Sequence, residues 1–343
     1  MKQRRVGLVL ATAVSLVALA APGAAVAAGH GQSHAKPYTF AVIGDIPYGP
    51  EELAVFPEKV DQINADPDVR MVDHLGDIKS GSTVCSDDYF QQIRSEFDRF
   101  RDPLVYTPGD NEWTDCHRTN NGAFNPLERL TALRKTFFSE PNRTLGRRSV
   151  SVRSQTRQGF PENVRYTRAD VAFAAVHIVG SNNGLGAWTG LEAATPAQTS
   201  EVLGRTAAGI ELIRETFRSA RRHDNRAVVL LTQADMFDPT VEAPAYADYF
   251  AFQPIVAAIA QESAAYGGPV YLINGDSHVF NSDKPLGSGA PWPSFYGLTK
   301  PVDNLTRITV NGSDMADDYL KVTIASRRTP VLSWVRVPFK TTT

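Results

Sequence analysis

Cysteine is scarce in this chain of 343 residues, which contains only Cys85 and Cys116. The two cysteines do not have Cys-x-x-Cys spacing, which counts against a metal-binding pair. In an oxidising compartment, one widely separated pair of cysteines predicts a disulfide bond that restricts the unfolded chain. Two free thiols or a metal-binding pair are the alternatives to this Cys85–Cys116 disulfide.

Basic runs and nucleotide-binding motifs are also missing. No Lys/Arg-rich run interleaved with aromatic residues occurs, so the sequence gives no support for nucleic-acid binding. Walker-type phosphate loops and dinucleotide-binding glycine fingerprints are absent. The Gly-x-Ser-x-Gly pattern of serine hydrolases is absent as well, and the two cysteines suit a disulfide. A hydrolase with a serine or cysteine nucleophile is thus disfavoured.

A long apolar run occurs only near the start of the chain. Three basic residues, an apolar stretch from Val6 to Ala21 and the small residues of Ala25–Ala27 have the order of a Sec-type signal peptide. The stretch is short for an uncleaved membrane anchor, which is the alternative. We therefore expect a signal peptide over residues 1–27, a disordered leader over residues 28–37, and a secreted protein without a membrane anchor. Removal of three basic residues and no acidic ones leaves 32 basic against 37 acidic residues, so the formal net charge changes from -2 to -5.

From residue 38 onward, apolar β-favouring segments alternate with amphipathic helical segments. The order strand, helix, strand, helix, strand predicts βαβ units and a parallel sheet. The predicted strands are 38–43, 71–75, 103–106, 171–180, 227–232 and 270–273, and the predicted helices are 51–65, 86–101, 125–138 and 199–223.

The rest of the chain departs from this alternation. Residues 139–165 are rich in polar and turn-forming residues and predict a long surface excursion. The tail segments 306–310, 319–324 and 331–337 have no helices between them, which predicts antiparallel strands completing a second sheet. No repeat or linker interrupts the chain. We expect a single α/β domain over residues 38–343, with two sheets packed face to face and helices outside.

Every Gly-Asp dipeptide follows a predicted strand directly. Ligand sites in open α/β sheets lie beyond the carboxyl ends of the strands, where glycine lets the backbone turn without steric strain. Carboxylates gathered in one crevice repel each other, and divalent cations relieve that repulsion. The pattern predicts a metal site, with ordinary turn and cap aspartates as the alternative. The four dipeptides are Gly44-Asp45, Gly76-Asp77, Gly109-Asp110 and Gly275-Asp276.

The dipeptides, extended by Asn111-Glu112 and by Ser277-His278, resemble the ordered signature of calcineurin-like metallophosphoesterases. The resemblance covers about residues 38–280. It implies a four-layer α/β/β/α sandwich of two mixed β-sheets flanked by helices, and a metal centre that activates water for attack on phosphorus. Its implied ligands are Asp45 and His278 on the first metal, with Asp77 bridging both metals.

This sequence departs from the family signature mainly at the second metal. Asp110 stands at the position of an asparagine ligand, and Asp276 replaces the first histidine of the final motif. A lone histidine expected later in the chain is replaced by Gln233 or Asp235. These changes make the site rich in oxygen, which favours Mg²⁺, Ca²⁺ or Mn²⁺ over zinc. We expect one or two divalent ions, with Mg, Mn, Ca, Fe and Zn all open as the identity.

The resemblance also suggests catalytic and substrate-binding groups. Asn111 occupies the position of the histidine that polarises the substrate or protonates the leaving group. Glu112 or His117 is then expected to supply that proton, although a loop histidine is often simply solvated. Tyr48 is expected to bind metal or phosphate, and Asn182 to bind phosphate. A loop aromatic and a turn asparagine are the respective alternatives.

The function predicted from the sequence is hydrolysis of a phosphate ester by metal-activated water, without a covalent intermediate. Two alternatives use the same fold. One is a catalytically weakened metal-binding or ligand-binding protein, which the missing histidines favour. The other is a structural domain stabilised by Ca²⁺. The sequence does not indicate monoester or diester preference, or the oligomeric state.

Overall fold

In the computed structural model, the described residues are 1, 3, 7, 37–326 and 329–340. The predicted signal peptide (1–27) and leader (28–37) fall on residues that lie outside this description, apart from 1, 3, 7 and 37. Both segments stay predictions. Within the described residues, no helix has the length and apolar character needed to cross a membrane.

The first β-sheet contains the strands β1 (Tyr38–Ile43), β2 (Val69–His74), β3 (Leu104–Tyr106), β11 (Asp318–Ile324) and β12 (Leu332–Pro338). Their order in space is β12-β11-β1-β2-β3. The first three strands are parallel, whereas β11 runs antiparallel to β1 and to β12. Because parallel strands end at the same edge, the loops that follow β1, β2 and β3 lie side by side.

The second sheet contains β4 (Arg153–Gln155), β5 (Phe160–Arg168), β6 (Val171–Ala175), β7 (Ala227–Leu231), β8 (Val270–Asn274), β9 (Asn281–Asp283) and β10 (Leu305–Thr309). Their order is β4-β5-β6-β7-β8-β10-β9. The strands β6, β7, β8 and β10 are mutually parallel, and β4, β5 and β9 are antiparallel to their neighbours.

Side chains cap the first turns of three helices in the described part of the chain. Ser86 and Asn125 accept hydrogen bonds from free backbone amides, and Thr195 forms a reciprocal capping box with Gln198. The helical segments are α1 (Gly49–Ala65), α2 (Asp87–Phe97), α3 (Pro126–Phe137), α4 (Gly180–Gly184), α5 (Pro196–Arg222), α6 (Gln253–Tyr266) and α7 (Trp292–Phe295). Of these, α4 is a short turn with left-handed backbone angles at three of its five residues. Short 3-10 turns span Thr114–His117, Thr119–Asn121, Thr156–Gln158, Tyr246–Asp248, Phe250–Phe252 and Ser313–Met315.

The two sheets pack face to face, with helices on both outer faces. Along β1, alternate residues point to opposite faces, so Phe40 packs between the sheets against Phe173 at 5.5 Å between ring centroids. Ala41 points the other way, toward α1, α2 and α3. The outer face of the second sheet is covered by α5 and α6. The predicted α/β fold, with four layers and two mixed sheets, is confirmed.

Three details differ from the expectation. The tail strands were expected to be antiparallel and to complete the second sheet. Instead, β10 is parallel to β8 in the second sheet, and β11 and β12 belong to the first sheet. The crossover between β8 and β10 returns the chain to the starting end of β8, which makes the pair parallel. Residues 139–165 include β4 and the start of β5, an edge hairpin. The strand predicted to reach residue 180 ends at Ala175, where the chain leaves the ladder for α4.

Candidate functional site

The four Gly-Asp dipeptides lie together at the carboxyl ends of β1, β2, β3 and β8. Glycine is needed there because the loops touch the aspartates. A Cβ atom on Gly109 would lie 2.0 Å from Oδ1 of Asp77, and one on Gly275 would lie 2.2 Å from Oδ2 of Asp45. Any larger residue would push the loops apart. The glycines therefore allow the backbones of neighbouring loops to approach the carboxylates closely.

The side chains at this edge form two groups with the spacing of a metal site. The first group is Asp45, Asp77 and His278, and the second is Asp77, Asp110 and Asp276; within each group the ligand atoms lie within 4.8 Å of one another. Asp77 belongs to both groups. The two groups thus contain all of the aspartate and histidine side chains that the sequence predicted as metal ligands.

Burial and like charge dominate the electrostatics of this site. Burial raises the pKa of the Asp45 carboxyl, and the charges of Asp110 and Glu112 raise it further, although the Asp276 backbone amide opposes them. Burial and the neighbouring carboxylates likewise raise the pKa of Asp77. Burial lowers the pKa of His278 and favours the neutral imidazole that can ligate a metal. Buried carboxylates with a neutral imidazole fit hard divalent cations, which would stabilise their ionised forms.

Two polar side chains contact the shared carboxylate directly. The hydroxyl of Tyr48 donates to Oδ2 of Asp77 at 2.8 Å and lies 3.3 Å from Nε2 of His278. The amide nitrogen of Asn111 donates to the same Oδ2 at 2.8 Å and to the Tyr48 hydroxyl at 2.7 Å. Both residues predicted to bind substrate or assist catalysis at this point are therefore in contact with Asp77.

The two residues proposed to replace the lone histidine both lie beside Asp276. Gln233 donates from its amide nitrogen to Asp276 at 3.0 Å and to Asp110 at 3.3 Å, while its oxygen accepts from the Gly180 amide at 2.8 Å. In this orientation Gln233 positions the carboxylates by hydrogen bonds. The backbone amide of Asp235 donates to Asp276 at 3.1 Å.

The carboxylate of Asp235 is itself held in place by other groups. It accepts from Arg307 at 2.6 Å and from the Ser277 hydroxyl at 2.8 Å. Arg307 is fully buried, so this ion pair fixes the backbone that in turn supports Asp276.

The predicted proton donors occupy different environments. Glu112 is fully buried, and its Oε1 accepts from the Gly109 amide at 2.6 Å, the Tyr106 hydroxyl at 2.7 Å and the Asp77 amide at 3.2 Å. It therefore fastens the loops beneath the carboxylates. Nδ1 of His117 contacts Thr189, 2.8 Å from its backbone amide and 2.9 Å from its hydroxyl. Within the described chain, His117 has no hydrogen bond to the clustered carboxylates.

A left-handed turn brings in a residue that sequence reasoning missed. Ser181, Asn182 and Asn183 have φ of 52°, 53° and 54°, a conformation that non-glycine residues rarely adopt in succession. The Ser181 hydroxyl donates to Asp110 at 2.7 Å and to Asp115 at 3.1 Å. Strained backbone of this kind is concentrated at functional sites. The polar run Ser-Asn-Asn-Gly after a strand was the available signal.

A cavity of about 580 Å³ opens beside the second carboxylate group. Ser181 and Asp276 line it from the metal-site side, and Tyr249 and Phe250 line it from the opposite loop. The amide of Asn182 also faces it, but its polar atoms are bonded to the backbone of Ala247 and Ala251 at 3.1 and 3.0 Å. This volume is within the range of small-molecule sites.

Cys85 and Cys116 form the predicted disulfide, with 5.9 Å between their Cα atoms. Both are fully buried. The bond joins the loop after β2 to the 3-10 turn after β3. The loops that carry Asp77 and Asp110 are thereby tied together, as the sequence predicted.

Comparisons with known proteins add backbone similarity only. No protein-family model matches the sequence, and no curated protein sequence matches it. Among solved structures, GAP50, the anchor in the inner membrane complex of Plasmodium, matches with a TM-score of 0.43 and 8% identity, over 89% of this chain and 90% of that chain. The purple acid phosphatase PPD1 from yellow lupin (Lupinus luteus) seeds matches with a TM-score of 0.42 and 11% identity, over 88% of this chain. The match covers 54% of the phosphatase chain, about half of its length. Membership of the calcineurin-like family stays a prediction.

Proposed function

We propose that this chain is a metal-dependent phosphoric ester hydrolase in which water attacks phosphorus directly. The observation that carries the proposal is that one buried carboxylate, Asp77, belongs to two adjacent groups of metal-ligating side chains. Paired divalent cations are a common arrangement in enzymes that hydrolyse phosphate esters. The sequence signature of calcineurin-like metallophosphoesterases, on the same residues, supports the same function.

The chain's own residues have distinct roles in this proposal. Asp45, Asp77 and His278 would hold one cation, and Asp77 would share the second with Asp110 and Asp276. Bound cations would lower the pKa of water and would stabilise negative charge on the phosphoryl oxygens. Gln233 keeps Asp110 and Asp276 in position through its amide nitrogen.

Tyr48 and Asn111 are the proposed donors to the ester. Burial raises the pKa of Tyr48 well above its usual value, and the charge of Asp77 adds to this effect, which favours the protonated hydroxyl in the metal-free site. Asn111 offers a neutral amide donor at the same point. Two neutral donors that turn from Asp77 to a phosphoryl oxygen would stabilise the charge that develops there. They would thereby take over part of the role that a histidine has in related signatures.

A catalytically weakened metal-binding protein is the second candidate. The position of His117 favours it, because this histidine is bonded to Thr189 rather than directed at the carboxylates. The leaving group would then lack a histidine proton donor in the described chain. Esters with good leaving groups need little protonation, so they distinguish a weak enzyme from a protein without activity.

Metal content and turnover, measured on the same samples, test the proposal. Purified protein would be compared as isolated, after chelation, and after addition of Mg²⁺, Mn²⁺, Ca²⁺, Fe²⁺ or Zn²⁺, using p-nitrophenyl phosphate and bis-p-nitrophenyl phosphate. Hydrolysis that is lost on chelation and restored by a cation supports the hydrolase. Stoichiometric metal without hydrolysis of either ester would instead support the metal-binding protein.

A further inference from the structure

A second large cleft, of about 720 Å³, lies between the edge hairpin β4–β5 and the carboxyl-terminal half of α5. Among the described residues, its lining contains five arginines but only two carboxylates, so it carries a formal charge of +3. The whole chain has a formal net charge of -2. The lining arginines are Arg153, Arg165, Arg168, Arg218 and Arg222, and the carboxylates are Asp170 and Glu215.

The cleft places like charges next to each other. Arg153 lies directly opposite Arg165 in the register of β4 and β5, and directly opposed like charges destabilise a sheet. Arg218 and Arg222 are one helical turn apart on α5, and like charges at this spacing destabilise a helix. The fold thus holds two repulsive pairs around one concave surface. An anion between them would reduce both repulsions.

Most of these guanidinium groups have N–H donors that are available to a ligand. Glu215 pairs with Arg165 at 3.2 Å, and Arg168 stacks over the ring of Tyr166 at 5.7 Å. In the part of the chain that the structure describes, no carboxylate pairs with Arg153, Arg218 or Arg222, and all three are exposed. Three planar donor groups are therefore available from two different walls of the cleft.

We propose that this cleft is a binding site for a small anion that carries two or more phosphate groups. The guanidinium fork matches the geometry of phosphate oxygens and donates to them in pairs. Donors on separate walls of the cleft can each bind a different phosphate group of one anion, which favours an anion with several phosphate groups over a single phosphate. The hydroxyls of Thr167 and Ser219 also line the cleft and add neutral donors.

The cleft is separate from the metal-ligand cluster. It is built around the amino end of β6, near Ala172, whereas Ser181 of the metal site follows the carboxyl end of the same strand. The cleft could not be predicted from the sequence, because its arginines come from two strands and a distant helix. The proposal does not depend on phosphoesterase activity.

Binding of tripolyphosphate, measured by isothermal titration calorimetry on the metal-free protein in the presence of a chelator, tests the proposal. The cleft variant is Arg218→Gln with Arg222→Gln. The control is Arg214→Gln with Arg221→Gln, which removes the same charge from the same helix outside the cleft and also removes the 3.1 Å ion pair of Arg221 with Glu262. We expect the cleft variant to bind on the order of tenfold more weakly than the parent, and the control to bind within about twofold of it. Circular dichroism melting would establish that both variants fold.

Three results would overturn the proposal. The first is that the parent protein does not bind tripolyphosphate. The second is an equal loss of affinity in both double variants, which would indicate general charge attraction. The third is tighter binding of inorganic phosphate or of a single-stranded oligodeoxynucleotide than of tripolyphosphate. The former would indicate a site for a single phosphate, and the latter a nucleic-acid surface.

Discussion

The hydroxyl of Tyr48 donates a 2.8 Å hydrogen bond to Oδ2 of Asp77, the carboxylate that both metal-ligand groups share. The two residues come from the loops after β1 and β2, so this contact joins neighbouring strand ends. Asn111, from the loop after β3, donates to both of them. Three consecutive loops of the first sheet therefore converge on one oxygen atom, and the chemistry proposed here depends on that convergence.

Replacement of Asp77 by asparagine should abolish most of the activity. The substitution removes a ligand from both proposed cation positions, so metal content should fall and kcat/KM should decrease by roughly a thousandfold or more. The chelated protein should stay folded, because the change removes a buried charge that burial and neighbouring carboxylates already disfavour. Metal analysis, esterase assays and thermal melting check these outcomes. The control is Asp88→Asn, on the exposed side of α2; wild-type turnover in Asp77→Asn would show that the bridging role is wrong.

Replacement of Tyr48 by phenylalanine separates a phosphate donor from a metal ligand. If the hydroxyl donates a hydrogen bond to the phosphate ester, turnover should fall by about a hundredfold while metal content stays unchanged. If the hydroxyl binds metal, metal content should fall together with turnover. Metal analysis paired with kcat and KM measurements on bis-p-nitrophenyl phosphate distinguishes the two. Tyr246→Phe, at an exposed tyrosine, is the matched control.

The position of the acidic site could be predicted because its signals are local. Each Gly-Asp dipeptide begins within three residues of the end of a strand, and parallel strands bring their carboxyl ends together whatever the loops do. The hydrogen bonds of Tyr48 and Gln233 could not be predicted, since they depend on how long loops fold and on side-chain orientation. Ser181 was missed because its role rests on a left-handed turn that few sequence rules describe.

Asp73 should make the stability of the protein depend on pH. Burial raises the pKa of its carboxyl to about 7, and the hydrogen bond from Tyr166 at 3.0 Å opposes that shift only partly. The folded protein therefore keeps this proton up to about pH 7, whereas the unfolded chain releases it near pH 4. The free energy of unfolding should decrease as pH rises through this interval, by a few kcal/mol, about 4 at most.

The variant Asp73→Asn removes this titration. The free energy of unfolding of the parent should fall between about pH 4 and pH 7, whereas that of the variant lacks this fall. The difference, variant minus parent, should therefore increase over this range and change little above pH 7. Urea unfolding at several pH values measures the difference, with Asp88→Asn as a control that should follow the parent. Parallel profiles for the parent and Asp73→Asn would mean that Asp73 is already ionised in the folded protein.

Loss of the Cys85–Cys116 disulfide should destabilise the protein and loosen the site. The bond closes a loop with a sequence separation of 31 residues, for which restriction of the unfolded chain contributes about 3–4 kcal/mol. The double variant Cys85→Ala with Cys116→Ala should unfold at lower urea concentration than the oxidised parent. The reduced parent should resemble the variant. Equal stability of the oxidised and reduced parent would contradict the prediction.

Arg205 should couple the left-handed turn to the metal site. It is almost fully buried, and it donates to Oδ1 of Asn183 at 2.5 Å and to the Asn183 carbonyl at 2.8 Å. The turn that it holds directs Ser181 at Asp110. Lysine keeps the charge but loses the planar fork, so Arg205→Lys should lower the free energy of unfolding by about 2–4 kcal/mol. Turnover should also fall, because Asp110 loses a positioned hydrogen bond.

A stability loss alone would not show that coupling, so the test needs a second variant. Ser181→Ala removes only the hydroxyl and should reduce turnover without the stability loss of Arg205→Lys. Arg214→Lys, exposed on the same helix, should change neither quantity. If Arg205→Lys keeps full turnover despite its lower stability, the turn holds its left-handed shape without the guanidinium. In that case the remaining bonds of Asn183 and the 2.8 Å hydrogen bond from the Gly180 amide to Gln233 suffice to keep Ser181 on Asp110.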